Sequence, residues 1–217
     1  LAQSRLNDWR GLFARAMRIV DSVAATGERF DDWSFGGGTV LMRRFRHRVS
    51  KDVDIFVPDP QYLGYVSPRL NDTAADLTPS YLETAISVKL YFPEGEIDFI
   101  VSPPLTRDPT TLETVLGRRV RVDTTAEIIA KKVWHRGADF TARDMFDLAL
   151  VAEREPTAIE QVARILRERR DAIRSRIASG EKALRKTYAE LDMLDFRPSF
   201  DECRKAIAEL LDRSWNP

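Results

Sequence analysis

The chain has 217 residues, 43% hydrophobic and 31% charged, with 34 basic and 34 acidic side chains and a formal net charge of zero. That length and balance describe a soluble globular protein, read here as a compact domain with a smaller helical appendage. No apolar run is long enough to span a bilayer, which argues against a membrane protein; a neutral chain also lacks global attraction for nucleic acid, so any polyanion site must come from locally clustered Lys and Arg.

The chain opens at Leu1, and no segment has the apolar core of a signal peptide. Leu6, Trp9, Leu12, Phe13, Met17, Val20 and Val23 recur at helical spacing up to a stop at Gly27. Trp33 to Phe35 reads as a short strand, broken by Gly36-Gly37-Gly38. Thr39 to Phe45 forms a short helix, and the β-branched and aromatic run Val53 to Val57 is a second strand ended by Pro58 and Pro60. The polar stretch through Asn71 and Asp72 reads as loop. Ile86 to Phe92 and Glu96 to Val101 are two strands joined at Pro93-Glu94-Gly95.

After Val120 the pattern becomes helical. Thr124 with Glu127 matches a capping box, Thr141 with Asp144 caps a second helix, and Pro156, Gly180 and Pro198 punctuate three more, the last opened by Ser199 and Glu202. The expected organisation is an α/β unit over residues 1–122 and a helical unit over 123–217. A single cysteine, Cys203, forms no internal disulfide, in accord with a reducing cytoplasm.

The chemistry concentrates at the glycine turn and the strand after it. Residues i and i+2 of a strand share a face, so Asp52 and Asp54 project together while Val53 and Ile55 face a core. Two adjacent carboxylates repel each other unless a cation lies between them, and hard oxygen ligands suit Mg²⁺ or Mn²⁺. Glycines allow backbone amides to approach phosphate oxygens, and the following helix N-terminus adds a favourable dipole. Thr39 would add a hydroxyl donor, with Arg48, Ser50 and Lys51 close by if the turn is tight. A glycine triplet alone is usually a turn, and an Asp-x-Asp pair alone is common at strand ends; together, separated by one short helix, they point to metal-dependent triphosphate chemistry.

Phe35-Gly36-Gly37-Gly38-Thr39-Val40-Leu41, followed by Arg48-Val49-Ser50-Lys51-Asp52-Val53-Asp54-Ile55-Phe56, resembles the AbiEii/AbiGii family of type IV toxin-like proteins within the polymerase-β-like nucleotidyltransferases. A second block, Glu127 to Lys132, then Arg136, then Arg143-Asp144-Met145-Phe146-Asp147-Leu148, is similar to that family's later motifs. The resemblance covers residues 30 to 150. Phe140-Thr141-Ala142 replaces the more usual short basic stretch before the Arg-Asp pair, a departure that bears on acceptor choice.

The resemblance implies an α+β fold: a polymerase-β-like core, a mixed sheet flanked by helices, followed by a C-terminal helical unit. It also implies a divalent metal and transfer of a nucleoside monophosphate from an NTP to an acceptor, often tRNA, with a cognate antitoxin as a further partner. Carried over, Asp52 and Asp54 hold metal, Gly37, Gly38 and Thr39 contact phosphate with Arg48 and Ser50 nearby, and Lys132 binds the triphosphate. Asp98, alternating with Glu96, is the expected third metal carboxylate, of the kind polymerase-β-like enzymes use to activate the attacking hydroxyl; the other reading is that Glu96 and Asp98 form a polar strand face.

Other residues carry two readings. Lys132 and Arg136 share a helical face and would present two cations to a polyphosphate, whereas Lys-Lys on a helix usually means a solvated face. Asp147, one turn after Asp144, is read either as catalytic or as part of a buried ion-pair network. Glu127 is read as a cap rather than a catalyst, His47 as a phosphate or base contact, and His135 as an ordinary helix residue; the two histidines lack zinc-ligand spacing. Arg164, Arg167, Arg169, Arg170, Arg174, Arg176, Lys182, Arg185 and Lys186 would track an RNA backbone or form a solvated basic face. The alternatives to an RNA acceptor are a small molecule, a protein hydroxyl, or a noncatalytic nucleotide-binding or antitoxin-binding scaffold.

Overall fold

The computed structural model describes residues 6–213. Two compact units interleave along the chain. The first holds the residues up to Val40, Ser50–Pro104 and Thr110–Asp123; the second holds Leu41–Val49, Leu105–Pro109 and the residues from Thr124 onward.

The first unit is built on a seven-stranded mixed sheet of order β3-β4-β5-β2-β1-β7-β6. Its strands are β1 (Ser34–Gly36), β2 (Val53–Val57), β3 (Tyr81–Glu83), β4 (Ser87–Phe92), β5 (Gly95–Val101), β6 (Thr110–Val115) and β7 (Arg118–Asp123). β2 runs antiparallel to β1 and parallel to β5, while β1 runs parallel to β7. Helix α1 (Asp8–Ala25) buries Leu12, Phe13, Ala16 and Ile19, and its Trp9 and Phe13 rings meet Phe35 of β1. The apolar stripe read from the sequence is thus the face that covers the sheet.

Three local expectations change. The stretch after Pro60 is two short helices, α3 (Gln61–Val66) and α4 (Asp72–Leu77), rather than a loop, because the Asn71 side chain caps α4 by accepting from the Ala74 amide at 2.9 Å. The β6–β7 hairpin was not expected: β6 carries no clean alternation, with Leu112 64% exposed. Gly180 does not punctuate a helix; it lies inside the 27-residue helix α8.

The second unit contains the end of α2 (Gly37–Phe45) and then α5 (Thr125–Arg136), α6 (Ala142–Arg154), α7 (Pro156–Gln161), α8 (Ala163–Ala189) and α9 (Phe200–Asp212). Both halves of the capping box form at Thr141/Asp144 and at Ser199/Glu202. Phe146 of α6 packs edge-on against Tyr188 and Phe196, and Tyr188 against Phe200, so the aromatic core joins α6, α8 and α9.

Glu127 departs from its expected role. Thr124 does accept from the Glu127 amide, but the fully buried Glu127 carboxylate accepts from the Leu105 amide at 3.0 Å and from the Thr106 amide and hydroxyl at 2.9 and 2.6 Å. Local spacing supplied one half of a box, and a segment some twenty residues away took the other half. Glu127→Ala is expected to destabilise the protein by about 2–3 kcal/mol, since it leaves two backbone donors without their charged acceptor. Urea unfolding would measure this; a loss under about 0.5 kcal/mol would show that water replaces the carboxylate.

Candidate active site

The glycine turn joins β1 to α2. Gly37 has φ +72°, and a Cβ there would stand 1.8 Å from Oδ2 of Asp54. A Cβ at Gly36 would meet Oδ2 of Asp123 at 2.5 Å and the Phe56 ring at 2.7 Å. Both positions therefore exclude any side chain, for reasons of space at Gly36 and of space and backbone at Gly37. The antiparallel pairing Gly36↔Asp54 produces this closeness. Gly38 is buried in the first turn of α2.

The carboxylates are arranged by strand register. Asp54 is paired with Asp98 across the parallel β2–β5 ladder, and Asp98 with Lys89 across the antiparallel β4–β5 ladder. Paired residues in a sheet share a face, so Lys89, Asp98 and Asp54 form one row over three strands. Burial alternates accordingly: Val53, Ile55, Ile97 and Phe99 are buried, while Asp54, Glu96 and Asp98 are only partly covered. Asp52 stands just before β2, where its Oδ1 accepts from the Glu96 amide at 3.2 Å. Asp54 is thus set against Gly37 and beside Asp98, while Asp52 is held at the Glu96 amide, all within the first unit.

Lys89 was missed by sequence reasoning. Its Nζ lies 2.8 Å from Oε2 of Glu96 and 3.0 Å from Oδ2 of Asp98. Burial pulls its pKa down, but the bond to Glu96 and the Asp98 charge outweigh it, so the ammonium is held above its ordinary range. The signal was present: a hairpin closing at Phe92↔Gly95 pairs Lys89 with Asp98 by counting back from the turn. Buried Asp123, which accepts from the Ser34 hydroxyl at 2.5 Å beside the glycine turn, was also missed.

Thr39 is corrected. It is fully buried, and its hydroxyl lies 2.5 Å from the Asp52 carbonyl oxygen, to which it donates, and 3.1 Å from Ser50 Oγ. It locks the approach to β2 to the glycine turn instead of facing a ligand.

The remaining candidates gather in the second unit. Asp147, with no exposed side-chain surface, accepts from Arg48 through both oxygens at 2.8 Å, from His47 Nε2 at 2.8 Å, and faces Lys132 Nζ at 3.1 Å. Lys132 also donates to Asp144 at 2.9 Å, and Arg136 lies 3.5 Å from the same Asp144 oxygen. Burial raises the pKa of Asp147, but the charges of Arg48 and Lys132 and the His47 bond overcome it and hold the carboxyl well below its usual range. Burial pushes His47 down more strongly than Asp147 draws it up. His47 is therefore neutral, donating from Nε2 to the carboxylate, with Nδ1 unpartnered among the described residues.

These contacts revise three readings. His47 is not a phosphate or base contact: it is fully buried and stacks on Phe146. The guanidinium of Arg48 is held inside the second unit by a buried bidentate pair with Asp147 rather than standing exposed as a nucleotide contact. Asp147 is the centre of a buried ion-pair network, the structural of its two readings. The Arg48 side is further held by backbone pairing of residues 46–49 with 192–195.

A divalent cation suits the first-unit face by donor chemistry, since the register gathers hard carboxylate oxygens there. Among the described residues no three His, Cys, Asp or Glu side chains form a ready ligand group. Lys89 places a cation on this face, against Glu96 and Asp98. Among the same residues, no helix is long and apolar enough to cross a membrane.

MenT4, a nucleotidyltransferase toxin from Mycobacterium tuberculosis H37Rv, is similar in structure at 18% identity over 97% of this chain and 86% of that one, with a TM-score of 0.51. JHP933 from Helicobacter pylori is similar at 15% identity over 90% and 87% of the two chains, TM-score 0.51. The antibiotic-resistance factor ANT(2'')-Ia follows at 15% identity over 81% and 97%, TM-score 0.50. At these identities the likeness speaks for the fold, a nucleotidyltransferase α+β core with C-terminal helices. No curated protein matches the sequence. The profile of the family described as nucleotidyl transferase AbiEii toxin, type IV toxin–antitoxin system, matches residues 18–213, and the chain therefore belongs to that family of nucleotidyltransferases.

Proposed function

We propose that the chain transfers a nucleoside monophosphate from an NTP to the 3′ hydroxyl of a tRNA, forming a phosphodiester at the α-phosphorus and releasing pyrophosphate, with the first-unit face as its reaction site. The observation that carries this reading is the close approach of Gly37 to Asp54, which sets the glycine turn against the carboxylate row. Gly37 and Gly38 present the start of α2 to phosphate oxygens. Asp52, Asp54 and Asp98 would hold Mg²⁺ or Mn²⁺, which supplies charge neutralisation on the phosphoryl oxygens and alignment of attacking and leaving groups. Asp98, between Lys89 and Asp54 in the row, accepts the proton of the attacking hydroxyl. Thr39 keeps Asp52 in register with the turn.

For the acceptor, the support is charge. Arg185 and Arg174 of α8 are ion-paired to Asp201 and Asp212, and Arg169 lies over the Trp134 ring, but Arg167, Lys182 and Lys186 are exposed on the same helix and suit phosphate contacts. In this reading the protein works in the cytoplasm, where NTP and RNA meet, and its cell encodes a cognate antitoxin.

The test is transfer of α-label from each NTP to total tRNA, run beside aminoglycosides and a protein hydroxyl acceptor. Label on RNA that disappears with EDTA and returns with Mg²⁺ or Mn²⁺ is the expected outcome. Label on the small molecule alone would overturn the acceptor; transfer that persists in EDTA would overturn the metal.

A further inference from the structure

Four carboxylates, Asp52, Asp54, Glu96 and Asp98, stand on neighbouring positions of β2 and β5 and on the residue just before β2. At separations set by adjacent strands, unneutralised carboxylates repel strongly, and partial burial strengthens the effect. Lys89 meets this repulsion from β4. Its ammonium bridges Glu96 at 2.8 Å and Asp98 at 3.0 Å, and its side chain is only 30% exposed. The position is set by the sheet itself: Val88 and Leu90 on either side are fully buried, which fixes Lys89 on the acidic face, opposite Asp98.

We propose that Lys89 is a resident cation of the reaction face, and that a divalent ion binding at Asp98 competes with its ammonium for that carboxylate. This rests on the proposed metal-dependent reaction and deepens it by naming what sets the strength of ion binding. A lysine suits the role where arginine would not. Its ammonium is a point charge on a flexible stem that swings away without breaking a planar, bidentate contact. Displacement leaves Glu96 as its remaining partner, so the released ammonium stays paired. The repulsion between Glu96 and Asp98 is thereby relieved in the protein without metal, and its affinity for the ion is lowered by the same contact.

The experiment is a Mn²⁺ titration of the full chain followed by electron paramagnetic resonance, without nucleotide, on the natural sequence, Lys89→Gln, Lys89→Arg and Asp54→Asn. Lys89→Gln is expected to bind Mn²⁺ about tenfold tighter or more, because one positive charge beside the ion is gone. Lys89→Arg keeps the charge and is expected to bind no tighter than the natural protein. Thermal melts give a second readout: without divalent ion Lys89→Gln melts lower than the natural protein, and added Mn²⁺ raises its melting temperature by more. Equal or weaker Mn²⁺ binding by Lys89→Gln overturns the role of Lys89 while leaving the metal reading intact. Mn²⁺ binding unaffected by Asp54→Asn overturns the metal reading, and this inference with it.

Discussion

Gly37→Ala is expected to lower nucleotidyl transfer by about a hundredfold or more, since displacement of reacting groups by an ångström has effects of that size. The methyl group would occupy the space of the Asp54 carboxylate, 1.8 Å from Oδ2, so either Asp54 rotates off its row or the turn opens. Backbone strain contributes separately, because alanine at φ +72° costs roughly 1–2 kcal/mol. Gly27→Ala separates the two effects. Gly27 has φ +84° with nothing within 4 Å of an added Cβ, so it should lose similar stability and keep its activity. Asp54→Asn, which preserves shape and removes charge, should lose at least as much activity as Gly37→Ala with little change in fold, as checked by circular dichroism. If Gly37→Ala and Gly27→Ala were equally active, the close approach of the turn to Asp54 would have no part in the reaction.

Asp147→Asn is expected to destabilise the protein by about 3–5 kcal/mol, the usual result of removing one partner from a buried ion pair. Arg48 would keep a buried positive charge whose carboxylate is gone, and His47 and Lys132 would lose an acceptor. Arg48→Met combined with Asp147→Leu should recover part of the loss, because it removes both charges; Lys132 retains Asp144. The pH dependence follows from the same contacts. The folded-state pKa of Asp147 lies below its unfolded value, so its contribution is complete above about pH 4 and fades as pH falls from there toward the depressed folded value. His47 is also depressed, by burial, so the stability held by its neutral form begins to fade below about pH 6.5, where the unfolded chain takes up a proton and the folded one does not. Urea midpoints from pH 7 down to pH 3 should therefore fall in the natural protein, and fall less steeply below pH 4 in Asp147→Asn. A flat profile in the natural protein would show that the network is open to water.

Local pattern was enough for much of this fold. Strand β2 has the limits expected from Val53 to Val57, the hairpin turns at Pro93-Glu94, and Thr141 and Ser199 cap their helices, because each of these depends on residues within a few positions of one another. The expectation that Asp52 and Asp54 share a face has the same local origin, since two-residue spacing needs no knowledge of neighbours. Family membership followed from ordered motifs, which also lie along the chain rather than across it.

What lay beyond reach were the partners. Glu127 reads as a cap until the Leu105 and Thr106 amides arrive, Thr39 as a phosphate donor until the Asp52 carbonyl takes its hydroxyl, and His47 and Arg48 as ligand contacts until Asp147 closes on them. Each is a polar group whose role depends on which opposite group meets it, and desolvation makes that meeting obligatory once the site is buried. The sequence by itself determined the chemistry available here: a glycine turn, paired carboxylates and the nucleotidyltransferase family. Only the tertiary structure decided which charged groups serve the carboxylate row and which hold the helical unit together, because strand register and helix packing, not spacing along the chain, set Lys89 against Asp98 and Arg48 against Asp147.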